Sequence, residues 1–498
     1  MKLENLDPTE CFKWFEVIAA IPRCSHYEKQ ISDHLVSFAK ERGLFVAQDA
    51  LGNVCIKKPA SSGMEKAPTV ILQGHMDMVC VKEEGSGFDF SRDPITLVVK
   101  GDTLTAAGTT LGADNGIALA FIMALLDSKD VPHPALEAVI TVAEEVGMTG
   151  AAGFDVSQLS GEYFINLDSE EEGVFCVSCA GGRRTEVSLP LATVASGGLP
   201  DDLPGGAKRA FFRINVSGLA GGHSGTAIDK ERGNANRLMG RILSTLAAKY
   251  DCYLAALSGG SASNVIPSES AAVVCINTDK DGLQKELNVL CGVFKNELKA
   301  ADGEGLALTA QKADAAETLL TRECFSRVVA ALLLLPNGVM AMDLNITTQR
   351  MVESSANLGV VRMDGGNAIF SSLLRSSVGS KKELMYQQTV AVAECIGATA
   401  SYVSDYPAWE FSPESKLRDV FKQAYTSLFK KEATVAGIHA GLECGLFFEK
   451  FKELGRKVDF IAFGPDITGA HTVNEAVKIR SVANTWNLLR KVLRLLGE

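Results

Sequence analysis

Thr69-Val70-Ile71-Leu72-Gln73-Gly74-His75-Met76-Asp77-Met78 is the stretch around which the rest of the chain is read. An apolar, β-branched run ends at Gly74 and then delivers an imidazole and a carboxylate two residues apart. In an extended strand, residues i and i+2 point to the same face. His75 and Asp77 therefore stand side by side where a buried strand meets the surface. Two readings fit the pair. A metal-ligating His usually has its second nitrogen held by a carboxylate, and a hydrogen-bonded His–Asp pair also caps strands. The stretch alone leaves both open.

Other segments repeat the theme. Gly108-Thr109-Thr110-Leu111-Gly112-Ala113-Asp114-Asn115-Gly116 precedes a helix expected over 117–126. Asp114 suits an N-cap, but a cap does not require so many glycines around it, and a carboxylate ligand on a Gly-flanked loop is the functional alternative. The strand expected over 134–142 ends in Ala143-Glu144-Glu145-Val146-Gly147. Adjacent carboxylates repel and lose solvation unless a cation or proton compensates. Their apolar flanks favour a metal site over a solvated turn. A third strand, Tyr163 to Leu167, also ends in acid, at Asp168 and Glu170. In open α/β sheets, sites form at the carboxyl ends of strands. Gly469-Ala470-His471 adds an imidazole on a loop near the end of the chain.

Imidazole and carboxylate without thiolate suit Zn²⁺, Mn²⁺ or Co²⁺ in a catalytic centre better than a structural zinc site. Two ions about 3.5–4 Å apart would need a shared carboxylate.

The chain has 498 residues, more than one domain usually holds. Residues 190–206 are rich in Gly, Pro, Ser and Asp and read as a boundary loop. From Ala210 a βαβ-like alternation begins that has no acidic strand ends: strands near 210–216, 270–278, 356–362 and 399–404, helices near 234–249, 282–299, 320–335 and 381–396. This is read as a separate α+β domain inserted into the first. The expected organisation is a catalytic domain over 1–186 and 406–498, interrupted by a second domain over 187–405. In the returning part, Thr434 to Gly445 reads as a strand leading into a glycine turn, and Ile479 to Leu496 as a closing helix.

The formal net charge of −11 leaves no basic excess to neutralise phosphates, which excludes nucleic acid and anionic membrane surfaces as partners. The start lacks a basic and apolar leader, and the run Ala330–Leu335 stops at Pro336, too short to span a bilayer. The twelve cysteines are scattered, many within apolar runs (Cys55, Cys80, Cys275, Cys395), and read as buried free thiols in a cytoplasmic protein. Cys176-x-x-Cys179 alone does not make a zinc site. His26 and His34 read as exposed or capping, and His133 and His439 as structural.

With these motifs in order, the chain resembles the M20 metallopeptidase family, and within it the aminoacyl-histidine dipeptidases. The resemblance rests on Gly74-His75-Met76-Asp77, Leu111–Gly116, Ala143–Gly147, Asn166-Leu167-Asp168-Ser169-Glu170 and Gly469-Ala470-His471, and it runs over essentially the whole chain. It implies an α/β, zinc-peptidase-like catalytic domain, with a central mixed sheet between helices, interrupted by an α+β lid. It also implies a homodimer and two divalent ions, most simply Zn²⁺. Asp114 would bridge them, His75 and Asp168 completing one site and Glu145 and His471 the other. Asp77 would orient His75, and Glu144 would be the general base in hydrolysis of small dipeptides of the Xaa-His and β-Ala-His type. An aminoacylase or other amide hydrolase with the same metals is the alternative. In the lid, His223 within Gly218–Gly225 would polarise the scissile carbonyl, while Asn264, Arg375 and Gly441 would hold the substrate carboxylate. Gly-Gly-His-Ser-Gly around Ser224 is not the G-x-S-x-G of a serine hydrolase.

Overall fold

A computed structural model describes residues 3–199, 208–346 and 350–498. The boundary loop expected over 190–206 is therefore described only as far as residue 199, and its remainder lies outside the described residues. Two large sheets organise the chain. The first has eight strands among the described residues. Its order is Phe45–Gln48, Val54–Lys58, Leu136–Thr141, Val70–His75, Tyr163–Asn166, Asp459–Ala462, Val174–Cys179 and Thr434–Ile438. The central strands are parallel to one another, and the first two form an antiparallel hairpin at the edge.

Every residue of Val70–His75, Leu136–Thr141 and Tyr163–Asn166 is buried, which is why these strands read as continuous apolar runs rather than alternating ones. Successive side chains enter different cores. Val70, Leu72, Ile140 and Ile165 face the helices Thr9–Ala19, Ala113–Asp127 and Ile479–Gly497. Ile71, Val139 and Phe164 face an aromatic core with Phe447, Phe451 and Phe460. Ala113–Asp127 is buried on all sides along Ile117–Leu126, as an apolar helix without an amphipathic stripe must be.

The second sheet holds the inserted part. Its strands run in the order Ala307–Lys312, Ala210–Ser217, Ser270–Ile276, Cys252–Gly259, Met351–Asp364, Asn367–Ser376, Gly181–Pro190 and Thr399–Tyr406, with Gly338–Asp343 also pairing Met351–Asp364. All these pairs are antiparallel, so the strand–helix alternation does not build βαβ units here. The helices Ala235–Lys249, Lys280–Glu297 and Arg322–Leu334 pack on one face through Leu243, Leu287 and Val328. Gly181–Pro190 already belongs to this sheet, because its ladder with Asn367–Ser376 starts at Gly181. The expected boundary at 186/187 thus falls inside a strand, and the crossing lies near Ala180.

Three local expectations change. The strand at Thr434 stops at Ile438, and a helix, Glu443–Glu453, occupies what was read as a glycine turn. It forms because Phe447 and Phe451, one turn apart, bury against Phe164. Cys24 and Cys80 are disulfide-bonded, against the reading of twelve free thiols. Their segments run side by side, with a parallel bridge between Cys24 and Met78. Cys395 is exposed at the end of the helix Gly379–Cys395. Cys55, Cys176, Cys179 and Cys275 are free and buried. Among the described residues, no helix is long and apolar enough to cross a membrane.

Candidate active site

The carboxyl ends of three adjacent parallel strands meet at one point. Val70–His75 ends in His75, Leu136–Thr141 leads to Glu144 and Glu145, and Tyr163–Asn166 leads to Asp168. Gly74 has no substitute: a Cβ there would lie 2.5 Å from Asn115 Oδ1 and 2.9 Å from Ala118. That close approach lets Asn115 brace the cluster. Its Oδ1 accepts from His75 N at 3.3 Å, and its Nδ2 donates to Leu167 O and Asp168 Oδ1, both at 2.9 Å.

Asp114 is reached from two sides. Its Oδ1 lies 3.2 Å from His75 Nε2, and its Oδ2 lies 3.0 Å from His471 Nε2. Asp168 Oδ1 is 3.7 Å from His75 Nε2, and Glu145 Oε1 is 3.0 Å from His471 Nε2. Two groups of ligand atoms, each mutually within 4.8 Å, follow: His75, Asp114 and Asp168, and Asp114, Glu145 and His471. A third, His75 with Glu144 and Glu145, overlaps them. Asp114 is common to the first two.

Asp77 is fully buried behind His75. Its Oδ1 is 3.3 Å from His75 Nδ1. The same carboxylate accepts from Ser25 Oγ, Glu144 N and Glu145 N. Asp77 thus fixes both the imidazole and the turn that carries the two glutamates. That turn needs it, because Ala143 sits at φ 51°, a left-handed conformation costly for a residue with a Cβ. His471 is also left-handed, at φ 63°.

The electrostatics fit a cation. Burial pushes the Glu144 carboxyl up to about 8, with Glu443, Glu145 and Asp114 adding to the effect against His75. Burial likewise raises Asp168. Burial opposes protonation of His75, but Asp168, Asp114 and Asp77 overcome it and raise its pKa. Donation to the Asp114 and Glu145 carboxylates raises His471 to about 11. Protons are thus held on groups that would act as ligands when deprotonated, as expected where a divalent ion would neutralise several carboxylates at once.

The cleft over this cluster has a volume of about 1030 Å³ and takes in His223 and Thr226 from the second sheet's domain, with Gly441 and Leu442 opposite. His223 stands in a two-residue strand paired with Val265–Ile266. Its Nδ1 is 3.3 Å from the backbone N–H groups of both Gly225 and Thr226, which donate to it. Arg375, on Asn367–Ser376, brings Nη2 to 3.4 Å from His223 Nε2 and donates from Nη1 to Tyr406 Oη at 2.9 Å. Burial and the Arg375 charge lower the His223 pKa. A Cβ on Gly441 would meet Tyr406 at 2.8 Å, so the glycine allows the loop and Tyr406 to touch. Asn264 is not among the residues lining the cleft; its carbonyl accepts from Ser224 N at 2.9 Å. Ser224 is buried and its Oγ has no hydrogen-bond partner, so no base activates it as a nucleophile. His439 is buried against Ser355 Oγ at 2.7 Å, and His133 against Pro134 O at 2.7 Å.

Two supporting residues were not singled out from the sequence. Asn115 lay within a quoted motif without a role. Glu475 is 2% exposed and accepts from the N–H groups of Leu111, Gly112 and Asp114. It holds the Asp114 loop from a position 361 residues away in the chain. No local pattern announces such a partner.

Four carboxylates and two imidazoles converging at strand ends, under a second domain, define the equipment of a metal-dependent hydrolase. The chain belongs to peptidase family M20/M25/M40, whose pattern matches residues 71–495. It is 37% identical over 497 residues to the cytosol non-specific dipeptidase of Escherichia coli strain K12, covering 99% of both chains. The crystal structure of aminoacylhistidine dipeptidase from Vibrio alginolyticus matches with a TM-score of 0.90 at 35% identity, over 99% of this chain and 98% of that one. Aminopeptidase PepT from Bacillus cereus shares the fold, with a TM-score of 0.55 at 15% identity, over 99% of this chain and 100% of that one. The protein is a peptide-bond hydrolase with a mixed α/β catalytic domain and a lid.

Proposed function

We propose that the protein is a dinuclear-metal dipeptidase that hydrolyses small dipeptides with a free amino terminus, Xaa-His and β-Ala-His among them. The observation that carries the reading is Asp114, whose two oxygens each face the imidazole of a separate ligand group. His75 and Asp168 would complete one ion's set, and Glu145 and His471 the other's. Zn²⁺ suits this donor set, and Co²⁺ or Mn²⁺ can replace it. When bound, such ions acidify water and polarise a carbonyl oxygen.

The chain's own residues do the rest. Asp77 keeps His75 Nδ1 occupied, so Nε2 faces Asp114 and Asp168. Glu144 takes the proton of the attacking water and returns it to the leaving amine, a task that suits a carboxyl whose pKa is raised towards neutrality. His223 accepts backbone N–H bonds at Nδ1, which leaves Nε2 to carry the ring proton and donate to the developing oxyanion once the substrate carboxylate draws off the donor-only Arg375 guanidinium 3.4 Å away. Arg375 converges on the same spot, and its planar fork suits the substrate carboxylate. Gly441 offers backbone to that end of the cleft. For Asn264 a substrate role rests on the family resemblance alone. That resemblance also carries the proposal of a homodimer, and the name of the Escherichia coli relative supports a cytoplasmic location.

The test compares kcat/KM for Gly-His, β-Ala-His and other free dipeptides with that for N-acetyl amino acids, before and after exhaustive chelation. Free dipeptides are expected to be preferred, with activity lost on chelation and restored by Zn²⁺ or Co²⁺. Preference for the acylated compounds would make it an aminoacylase, and chelator-insensitive activity would remove the metal from the chemistry.

A further inference from the structure

One buried carboxylate beneath the cleft belongs neither to the ligand groups nor to any ion pair among the described residues. Glu443 is fully buried and opens the helix Glu443–Glu453, directly after Gly441 and Leu442, which line the cleft. An acid in the first turn of a helix is usually explained by the N-terminal partial charge. Here the side chain turns into the sheet. Its Oε2 accepts from Gln73 Nε2 and, at 2.7 Å, from Thr141 Oγ1. Gln73 in turn accepts from Asn166 Nδ2 at 2.6 Å.

The two partners and Asn166 behind Gln73 stand on three neighbouring strands, with Thr141 in register with His75 and Asn166 with Gln73. Each precedes a residue of the cluster: Gln73 comes two before His75, Thr141 three before Glu144, and Asn166 two before Asp168. A buried carboxylate with no cation beside it is costly, and an apolar side chain of similar size would fill the space more cheaply. What the apolar residue could not do is hold the start of this helix to two of these strands at once and, through Gln73, to the third.

Resting on the roles proposed above, we infer that Glu443 is a positioning residue. It fastens the cleft-lining loop Ile438–Leu442 to the strands that deliver His75, Glu144, Glu145 and Asp168. The peptide seated against the loop and the groups that act on it then keep one geometry. A displacement of about 1 Å between substrate and catalytic groups costs on the order of 100-fold in rate. The loop's other side-chain ties run elsewhere: His439 Nε2 meets Ser355 Oγ in the second sheet at 2.7 Å, and Cys179 Sγ donates to Leu442 O at 3.9 Å, whereas Glu443 ties its end to Val70–His75 and Leu136–Thr141.

The experiment measures kcat, KM and bound metal for Glu443→Leu, Glu443→Gln and Thr141→Val, each checked for folding. Glu443→Leu removes both hydrogen bonds and is expected to lower kcat by roughly 10- to 100-fold, with KM little changed and metal content that of the parent. Glu443→Gln keeps an acceptor oxygen for Gln73 and Thr141 and is expected to restore kcat to within about threefold of the parent. Thr141→Val is expected to lower kcat by a smaller factor and to add nothing to Glu443→Leu, as two members of one network behave. An unchanged kcat in Glu443→Leu, metal loss in step with kcat, or a Gln variant as impaired as the Leu variant would each overturn the assignment. Should Glu443→Leu not fold, Thr141→Val decides: reduced kcat with full metal upholds it, and parental kcat overturns it. The series is read relative to the parent on whichever amide the parent cleaves, so a wrong substrate assignment shows in the parent and leaves this test intact.

Discussion

The ligand cluster and His223 line one cleft, with the buried Arg375 beside His223, but the cluster and this lid pair are built differently. In the cluster most of the members are cross-braced by buried groups, the exposed His471 being the exception. Asp77 holds His75 and the Glu144–Glu145 turn, Asn115 holds His75 and Asp168, and Glu475 holds the Asp114 loop. His223 instead sits in a two-residue strand, tied by backbone N–H groups, and Arg375 by the hydroxyl of Tyr406. The first is the construction of a site that must keep its shape without substrate; the second, of groups that meet the site from another domain. The contrast implies that damage to the cluster's braces is read out in metal binding, and damage to the lid in turnover.

Glu144→Gln should have the largest effect and sharpens the contrast from inside the cluster. A general base contributes about 10²–10⁴-fold, so kcat should fall by that order while two ions stay bound, as measured by elemental analysis of the dialysed protein. Full activity would remove Glu144 from the chemistry. His223→Ala comes next. Loss of one oxyanion donor typically costs about 10²–10³ in kcat, with metal content unaffected because no ligand group includes His223. Metal loss in this variant would break the distinction between the two regions. Asp77→Asn tests the other side. Removing a carboxylate that orients a ligating His costs about 10–100-fold in metal affinity. Activity should therefore fall at low Zn²⁺ and largely recover as Zn²⁺ is raised; a deficit that saturating metal leaves untouched would place Asp77 in the reaction itself.

The same contrast explains how much could be read in advance. The cluster residues sit at the ends of apolar runs or between glycines, and a strand that is buried on both faces announces itself in composition. Donor type and position were therefore legible for His75, Asp114, Glu144, Glu145 and Asp168, and the structure brings them together with His471. Their braces were not. Glu475 and Glu443 act on partners 302 to 370 residues away, and an acid in a loop or at the start of a helix looks locally like any other. The lid's strand directions were also hidden, because alternation of strands and helices does not say which strands pair. The helix at Glu443 was missed because Gly441 and Gly445 resemble a turn, whereas Phe447 and Phe451 decide the matter by packing on Phe164 across the sheet.

The smallest effect should come from the base of the lid, and it tests whether Arg375 depends on more than its own bonds. Asp405 accepts from Arg183 Nη2 at 2.6 Å and from Lys382 Nζ at 2.5 Å, one residue before the Tyr406 that holds Arg375. Arg183 also lies against the rings of Tyr386 and Tyr402, at 4.9 and 4.7 Å from their centres. Burial opposes ionisation of Asp405, but Arg183 and Lys382 outweigh it and hold its carboxyl below the usual range. A folded-state pKa below the unfolded value gives stability that is present above about pH 4 and lost as pH falls through the folded pKa. Asp405→Asn should therefore lower the thermal midpoint at pH 7 by about 2–4 °C. The gap to the parent should begin to narrow below about pH 4, where the unfolded chain's carboxylate takes up a proton, and close as the folded carboxylate is protonated at still lower pH. At pH 7 the variant should show a raised KM and unchanged metal content. A gap that stays constant with pH would mean that Asp405 acts through packing alone, and metal loss would mean that the lid's base and the ligand cluster are not the separate constructions described above.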